Sequence, residues 1–155
     1  MTAPIATPEP GWEPVVPFPA GEGTFLADGD RVKLAYFRVP GEPVLYARAW
    51  FGRNTMGPPG HVHGGAMAAT LDEAMGAAAW MNDFQCVAAT ITINFLEMLP
   101  LETETTVRAT IDRVDGRKIH LRATLTDRSG KLIADGTGLF IVLREQTIRA
   151  MAPRP

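Results

Sequence analysis

The sequence predicts an α+β domain in which an antiparallel sheet of six strands wraps round one central helix. Three observations predict it. Stretches rich in Val, Ile and Thr recur between turn signals, residues 65–81 form one long Ala- and Met-rich run without proline, and that run is apolar around nearly its whole circumference. A helix without a polar stripe belongs in an interior, and a curved sheet closed round it supplies one.

The strands begin at Arg31. Residues 31–39 and 44–51 flank Pro40-Gly41-Glu42-Pro43, whose turn chemistry makes the pair a hairpin. Residues 54–60 are a Gly/Pro-rich loop leading into the helix, which spans about five turns and stops at Asn82-Asp83. Within it only Thr70, Asp72 and Glu73 are polar, and Ala stands at 66, 68, 69, 74, 77, 78 and 79, so a sheet can approach closely. Residues 87–97, 103–114, 117–127 and 131–144 follow, punctuated by Leu99-Pro100, Asp115-Gly116 and Ser129-Gly130, and read as a four-stranded meander.

The boundaries expected are a proline-rich arm over 1–30, the domain over 31–145 and a tail over 146–155. Prolines at 4, 8, 10, 14, 17 and 19 each remove a backbone donor and fix φ, which predicts an extended arm. Trp12 and Phe18 are large apolar groups, and part of the arm is expected to lie against the domain. A chain of 155 residues with 46% hydrophobic and 21% charged content can bury a core without staples. A net charge of −2 gives no broad basic surface, so nucleic acid is not an expected partner. The single Cys86 excludes an intrachain disulfide and a Cys-pair zinc site, which makes a reducing cytosol the expected setting. No targeting pattern opens the chain, and Asp72 and Glu73 interrupt the longest apolar stretch, so a cytoplasmic protein without a membrane span is expected.

The chemistry centres on the loop Gly57-Pro58-Pro59-Gly60-His61-Val62-His63-Gly64-Gly65, which delivers two glycines to the helix start. The first turn of a helix leaves N–H groups without intrahelical partners and carries positive partial charge, which suits a carbonyl oxygen becoming an oxyanion. A tight turn into the helix is the plainer reading of the same glycines. Asp72 adds to it, because an ionised carboxylate inside an apolar helix is costly unless a task or a partner maintains it. Glu73 sits about 100° further round the helix and is the candidate for an interface carboxylate. Gly65 and Asp72 are seven residues apart, roughly 10 Å at ~1.5 Å rise, too far to address one carbonyl. A site built from Gly65 of one subunit and Asp72 of another needs antiparallel helices in a two-fold dimer.

Other chemistries find less support. His61 and His63 have only His120 and Cys86 as further soft ligands and no grouped carboxylates, so neither metal nor cofactor is expected. Ser129, the sole serine, stands in a Ser-Gly turn and is no triad nucleophile.

The run from Gly57 to Asp72 resembles the signature of PaaI-like hotdog-fold acyl-CoA thioesterases, including the animal mitochondrial long-chain acyl-CoA type. The resemblance covers residues 44–144, with Ile93-Asn94-Phe95, Pro100, Val114-Asp115-Gly116-Arg117-Lys118 and Gly138-Leu139-Phe140-Ile141 in matching places. It implies that Asp72 acts as general base or nucleophile while the Gly65 N–H polarises the thioester carbonyl. It further implies that His63 and Gly64 shape the substrate loop and that Asn94, Arg117 and Lys118 contact the CoA arm. The partners implied are acyl-CoA and a second copy of the chain, as a dimer or a dimer of dimers. One departure matters: relatives carry a hydroxyl on the strand after the helix to hold the attacking water, and Ala88 stands there. Alternation would set Ala88, Thr90, Thr92 and Asn94 on one strand face, which makes Thr90 the substitute. The polar loop residue of some relatives falls at Gly57, leaving Asn54 in its stead. Slow hydrolysis follows, and the rival readings are a non-catalytic acyl-CoA binder and a structural oligomer without a ligand.

Overall fold

The computed structural model describes residues 8–18, 25–26 and 30–151. The first hairpin pairs β2 (Val32–Arg38) with β3 (Leu45–Phe51), after a short β1 (Glu13–Pro14). Gly41 takes φ +85° in the connecting turn, a conformation that only glycine adopts without strain. Along β3, Leu45, Ala47, Ala49 and Phe51 face the core and are wholly buried, while Tyr46, Arg48 and Trp50 point to the other face.

The central helix α1 (Gly64–Met81) lies across the sheet, with Leu71, Ala74, Met75, Ala77, Ala78 and Ala79 fully buried. Four further strands follow: β4 (Cys86–Phe95), β5 (Glu104–Asp115), β6 (Lys118–Thr126) and β7 (Leu132–Val142). The helix is not covered all round, because Ala66, Ala69, Asp72 and Glu73 are only half-buried on the side turned from the sheet. A short α2 (Glu145–Met151) with no buried residue closes the described chain, where only a tail was expected.

Two expectations about the sheet need correction. It has seven strands rather than six, in the order β1-β2-β3-β5-β6-β7-β4, all antiparallel. The last four strands are therefore not a meander: β5 pairs with β3, and β4 crosses to the far edge beside β7. The crossing brings β4 to the far side of the sheet, and α1 packs against β3, β4, β5, β6 and β7 together. The curved antiparallel sheet round one helix is the hotdog architecture.

The arm supplies the seventh strand. Trp12 stacks on Tyr46 at 4.7 Å and lies 5.4 Å from Phe37, with the Arg48 guanidinium 5.0 Å from its ring, all on the outer face. Glu9 pairs with Arg48 there. Glu13 and Pro14 then pair with Arg38 and Phe37 at the edge of β2, and Phe18 arrives on the helix side, edge-on to Tyr36 and Trp80. The five residues between Trp12 and Phe18 thus carry the chain round the sheet edge, anchored by aromatic packing on both faces.

Candidate active site

The loop before α1 is held at several points. The His63 N–H donates to the Thr55 carbonyl at 2.7 Å and the Val62 N–H to the Leu99 carbonyl at 2.8 Å, so the loop is tied to the 3-10 turn Arg53–Thr55 and to the Pro100 turn. Gly57 is required by close approach, since a Cβ there would lie 2.8 Å from the His63 Cα. His63 caps the helix: its Nδ1 accepts the Gly65 N–H at 2.8 Å, while its carbonyl accepts from Ala66. The Gly64 N–H makes no hydrogen bond among the described residues, so it is an orphan donor of the first turn. A Cβ on Gly64 would lie 3.3 Å from the Phe95 ring, which comes from the end of β4. Phe95 therefore belongs to the site, and its place after Ile93 on the helix-facing side of β4 was the available signal.

Asp72 lies two turns along the helix, half-buried, and among the described residues neither Asp72 nor Glu73 forms an ion pair. Burial raises the Asp72 carboxyl above the ordinary aspartate range. Burial first, and then the adjoining Asp72 charge, raises Glu73. Tyr36 faces Glu73, and its phenol is pushed upward by burial and then by that carboxylate. The Tyr36 hydroxyl has no hydrogen-bond partner among the described residues. Cys86 is pushed up to about 11 by burial, which removes it as a thiolate nucleophile.

Two cavities flank the helix start. One of about 780 Å³ lies between the first turns of α1 and Phe25, Leu26, Asp30, Arg31 and Val32, and includes Asn54, His63, Gly65 and Ala69 in its walls. A smaller one of about 350 Å³ lies on the other side, between Gly64, Met67, Phe95 and Met98. Along the helix, Met67 and Met75 are buried in the core, and Met81 and Trp80 pack against it.

One chain brings His63, Gly64 and Gly65 together and leaves the other expected residues apart. The alternation expected along β4 is broken by a bulge between Ala88 and Thr90. Ala88 pairs with the buried Phe140 and faces the helix, whereas Thr90 pairs with Leu139 and lines a groove with Thr92, His120 and Thr137 on the outer face. Thr90 is thus on the wrong side of the sheet to replace a hydroxyl at Ala88. Asn94 is also on the outer face, donating to Asp135 at 2.7 Å. Arg117 and Lys118 stand at the β5–β6 hairpin, where Arg117 Nε donates to the Val142 carbonyl at 3.1 Å, near the C-terminal end of α1. Among the described residues no helix is long and apolar enough to cross a membrane.

Comparison with known proteins bears on this geometry. Residues 59–134 match the family described as Thioesterase superfamily. Acyl-coenzyme A thioesterase THEM4 of Bos taurus is 35% identical over 88 residues, 56% of this chain and 36% of that protein. The chain thus spans well under two thirds of that relative's length. Protein RHA08564, a thioesterase superfamily protein, superposes with a TM-score of 0.64 at 25% identity, covering 70% of this chain and 53% of that one. The PaaI protein of E. coli superposes with a TM-score of 0.65 at 16% identity, covering 73% and 80%. The matched segment begins at the helix-entry loop and runs through β4, β5 and β6, the elements that place His63, Gly64, Gly65 and Asp72. On that sequence match and the shared architecture together, the chain has the hotdog fold and is similar over residues 59–134 to the thioesterase superfamily.

Proposed function

We propose that the protein hydrolyses the thioester of an acyl-CoA to free acid and CoA, at two identical sites in a homodimer. The observation that carries this is Asp72: a half-buried carboxylate without an ion-pair partner among the described residues, on the uncovered face of a helix whose first turn holds the unengaged Gly64 N–H beside the Gly65 N–H capped by His63. THEM4, a relative 35% identical over 88 residues, is named an acyl-coenzyme A thioesterase, which supports the substrate class.

The dimer follows from β4. It is an edge strand of ten residues, paired with β7 alone, yet Val87, Ile91 and Phe95 are 48%, 38% and 52% exposed. A long apolar edge is covered most simply by its own copy in antiparallel register, extending the sheet across a two-fold axis. In that arrangement the start of one α1 approaches the middle of the other, and the partner's hairpin with Arg117 and Lys118 comes toward the Gly64 end. The two cations would then meet the CoA phosphates, and Asn94 the CoA arm near the strand end.

In the reaction the thioester oxygen accepts from the helix start. The Gly64 N–H is unengaged, and the oxygen competes with His63 Nδ1 for the Gly65 N–H. Asp72 of the partner subunit takes a proton from water as the water oxygen attacks the carbonyl carbon; the C–S bond then breaks and the departing sulfur is protonated. As nucleophile, the carboxylate would attack first and expel CoA as the thiolate, which takes up a proton, and water would cleave the resulting anhydride to free acid and the restored carboxylate. A second reading, a weakly active or non-catalytic acyl-CoA binder, is favoured by Ala88, which brings no hydroxyl to the helix-facing side of β4. Release of free thiol from acyl-CoAs of graded length separates the two, since a binder raises thermal stability with ligand but releases no thiol.

A further inference from the structure

The larger cavity beside the start of α1 has wall residues, Leu26 and Val32 among them, that the family match, which begins at residue 59, does not reach. Ala66 and Ala69 form its helix side, and their small side chains leave the space open. Leu26 and Val32 face them from the other side, both buried in the core, and Met56 joins them from the loop. The polar groups Asn54, His63 and Gly65 also line it, and Ala69 lies one helical turn further in than Gly65.

The arm side of this cavity is fixed in place. The Gly52 N–H donates to the Arg31 carbonyl at 2.7 Å, and a Cβ on Gly52 would lie 2.1 Å from the Asp30 carbonyl oxygen. Only glycine at 52 lets the chain at Asp30-Arg31 pass so close to the end of β3. Gly52 thereby positions a wall that it does not itself line.

We infer that this cavity holds the acyl group of the thioester, with Leu26 and Val32 opposite Ala66 and Ala69, so that residues preceding the matched segment set the acyl length. This rests on the thioesterase reading. An acyl chain fits better than the CoA arm, because apolar side chains form both facing walls. Asp30 and Arg31, the aspartate and arginine among its described lining, are adjacent and opposite in sign. A carbonyl at the Gly65 end would direct its chain along Ala66 and Ala69.

The test is the chain-length profile of kcat/KM from butanoyl-CoA to dodecanoyl-CoA, with folding checked by circular dichroism. Ala69→Phe fills the cavity and is expected to lower the value for dodecanoyl-CoA by roughly tenfold or more, leaving butanoyl-CoA within about threefold. Leu26→Ala is expected to move the optimum to longer chains. Gly52→Ala, which displaces the wall without entering the cavity, is expected to flatten the profile while butanoyl-CoA turnover persists. Folded variants that keep the wild-type profile would overturn the inference and leave the hydrolytic function standing. If the wild type hydrolyses no acyl-CoA, the functional reading fails by itself, and calorimetry with dodecanoic acid decides the cavity: binding lost in Ala69→Phe upholds it, while binding unchanged by the substitution, or absent from the wild type, overturns it.

Discussion

His63 Nδ1 accepts the Gly65 N–H at 2.8 Å, and the imidazole occupies the space that a side chain at Gly65 would need. A Cβ there would lie 2.9 Å from Nδ1. Helix propensity alone would favour alanine over glycine at this position by roughly 1 kcal/mol, so the glycine reflects the imidazole. Gly65→Ala is therefore expected to destabilise the protein, and His63→Ala to cost the cap, about 0.5–2 kcal/mol. In the double variant the clash has gone, and its loss should fall short of the sum of the two. Denaturant unfolding of all four proteins measures this coupling, and strict additivity would show that the two residues do not share the space.

Asp72→Asn keeps the shape of the side chain and removes its basic oxygen. Hydrolysis is expected to fall on the order of 10²–10⁴-fold, with dimer mass and acyl-CoA binding kept. Glu73→Gln should cost far less, because Glu73 lies round the helix toward Tyr36. Thiol release under saturating substrate checks both, and wild-type kcat in Asp72→Asn would transfer the chemistry to another group.

The same two carboxyls make stability depend on pH. Both are raised in the folded chain by burial, and Glu73 further by Asp72, so across the interval above the ordinary carboxylate range the folded state holds more protons than the unfolded. Stability then falls as pH rises through that interval, and below it both states are protonated and the effect vanishes. Glu73→Gln is expected to raise Tm at neutral pH and to leave it nearly unchanged in acid. An equal rise at both pH values would mean that packing, not ionisation, is responsible.

The bulge in β4 separates Ala88 from Thr90, and a pair of variants exploits it. Ala88→Thr places a hydroxyl on the helix-facing side and is expected to raise kcat several-fold without lowering KM, if water placement limits turnover. Thr90→Ala, on the outer face, is expected to leave kcat within about twofold. A large loss in Thr90→Ala would return Thr90 to the site.

Ile91 stands near the middle of β4, where the proposed two-fold axis crosses. Ile91→Lys puts a charge into that contact and is expected to yield monomers in light scattering, with hydrolysis lost alongside, since each site needs both chains. A monomer that retains full turnover would show that one chain suffices.

Local signals carried much of this fold. Pro40 to Pro43, Asp115-Gly116 and Ser129-Gly130 marked three hairpins, and the Ala-rich run marked α1 to within one residue of its start. The strand order was not legible, because β-propensity says where a strand lies and nothing of its neighbours; β4 finds β7 only through closure of the sheet round the helix. The bulge after Ala88 was equally hidden, and a single inserted residue moved Thr90 from the helix side to the outer face. At the site, Gly64-Gly65 and Asp72 announced themselves by their chemistry. The role of Gly52 did not, because the backbone it admits, at Asp30 and Arg31, lies more than twenty residues away in sequence.

The route of the arm round β2 also limits what can be added to this sheet. Pro14, at the rim, has no N–H to offer a further strand, and Pro17 follows three residues later, so the rim beside Phe37 and Arg38 is a poor template for another chain. Recruitment of strands is thereby directed to the opposite rim, at β4. When that rim is taken by an identical chain, the composite sheet ends in the same proline-bearing arm on both sides. Polymerisation by strand addition thus meets a terminator at Pro14 and Pro17, well outside residues 59–134 that match the family.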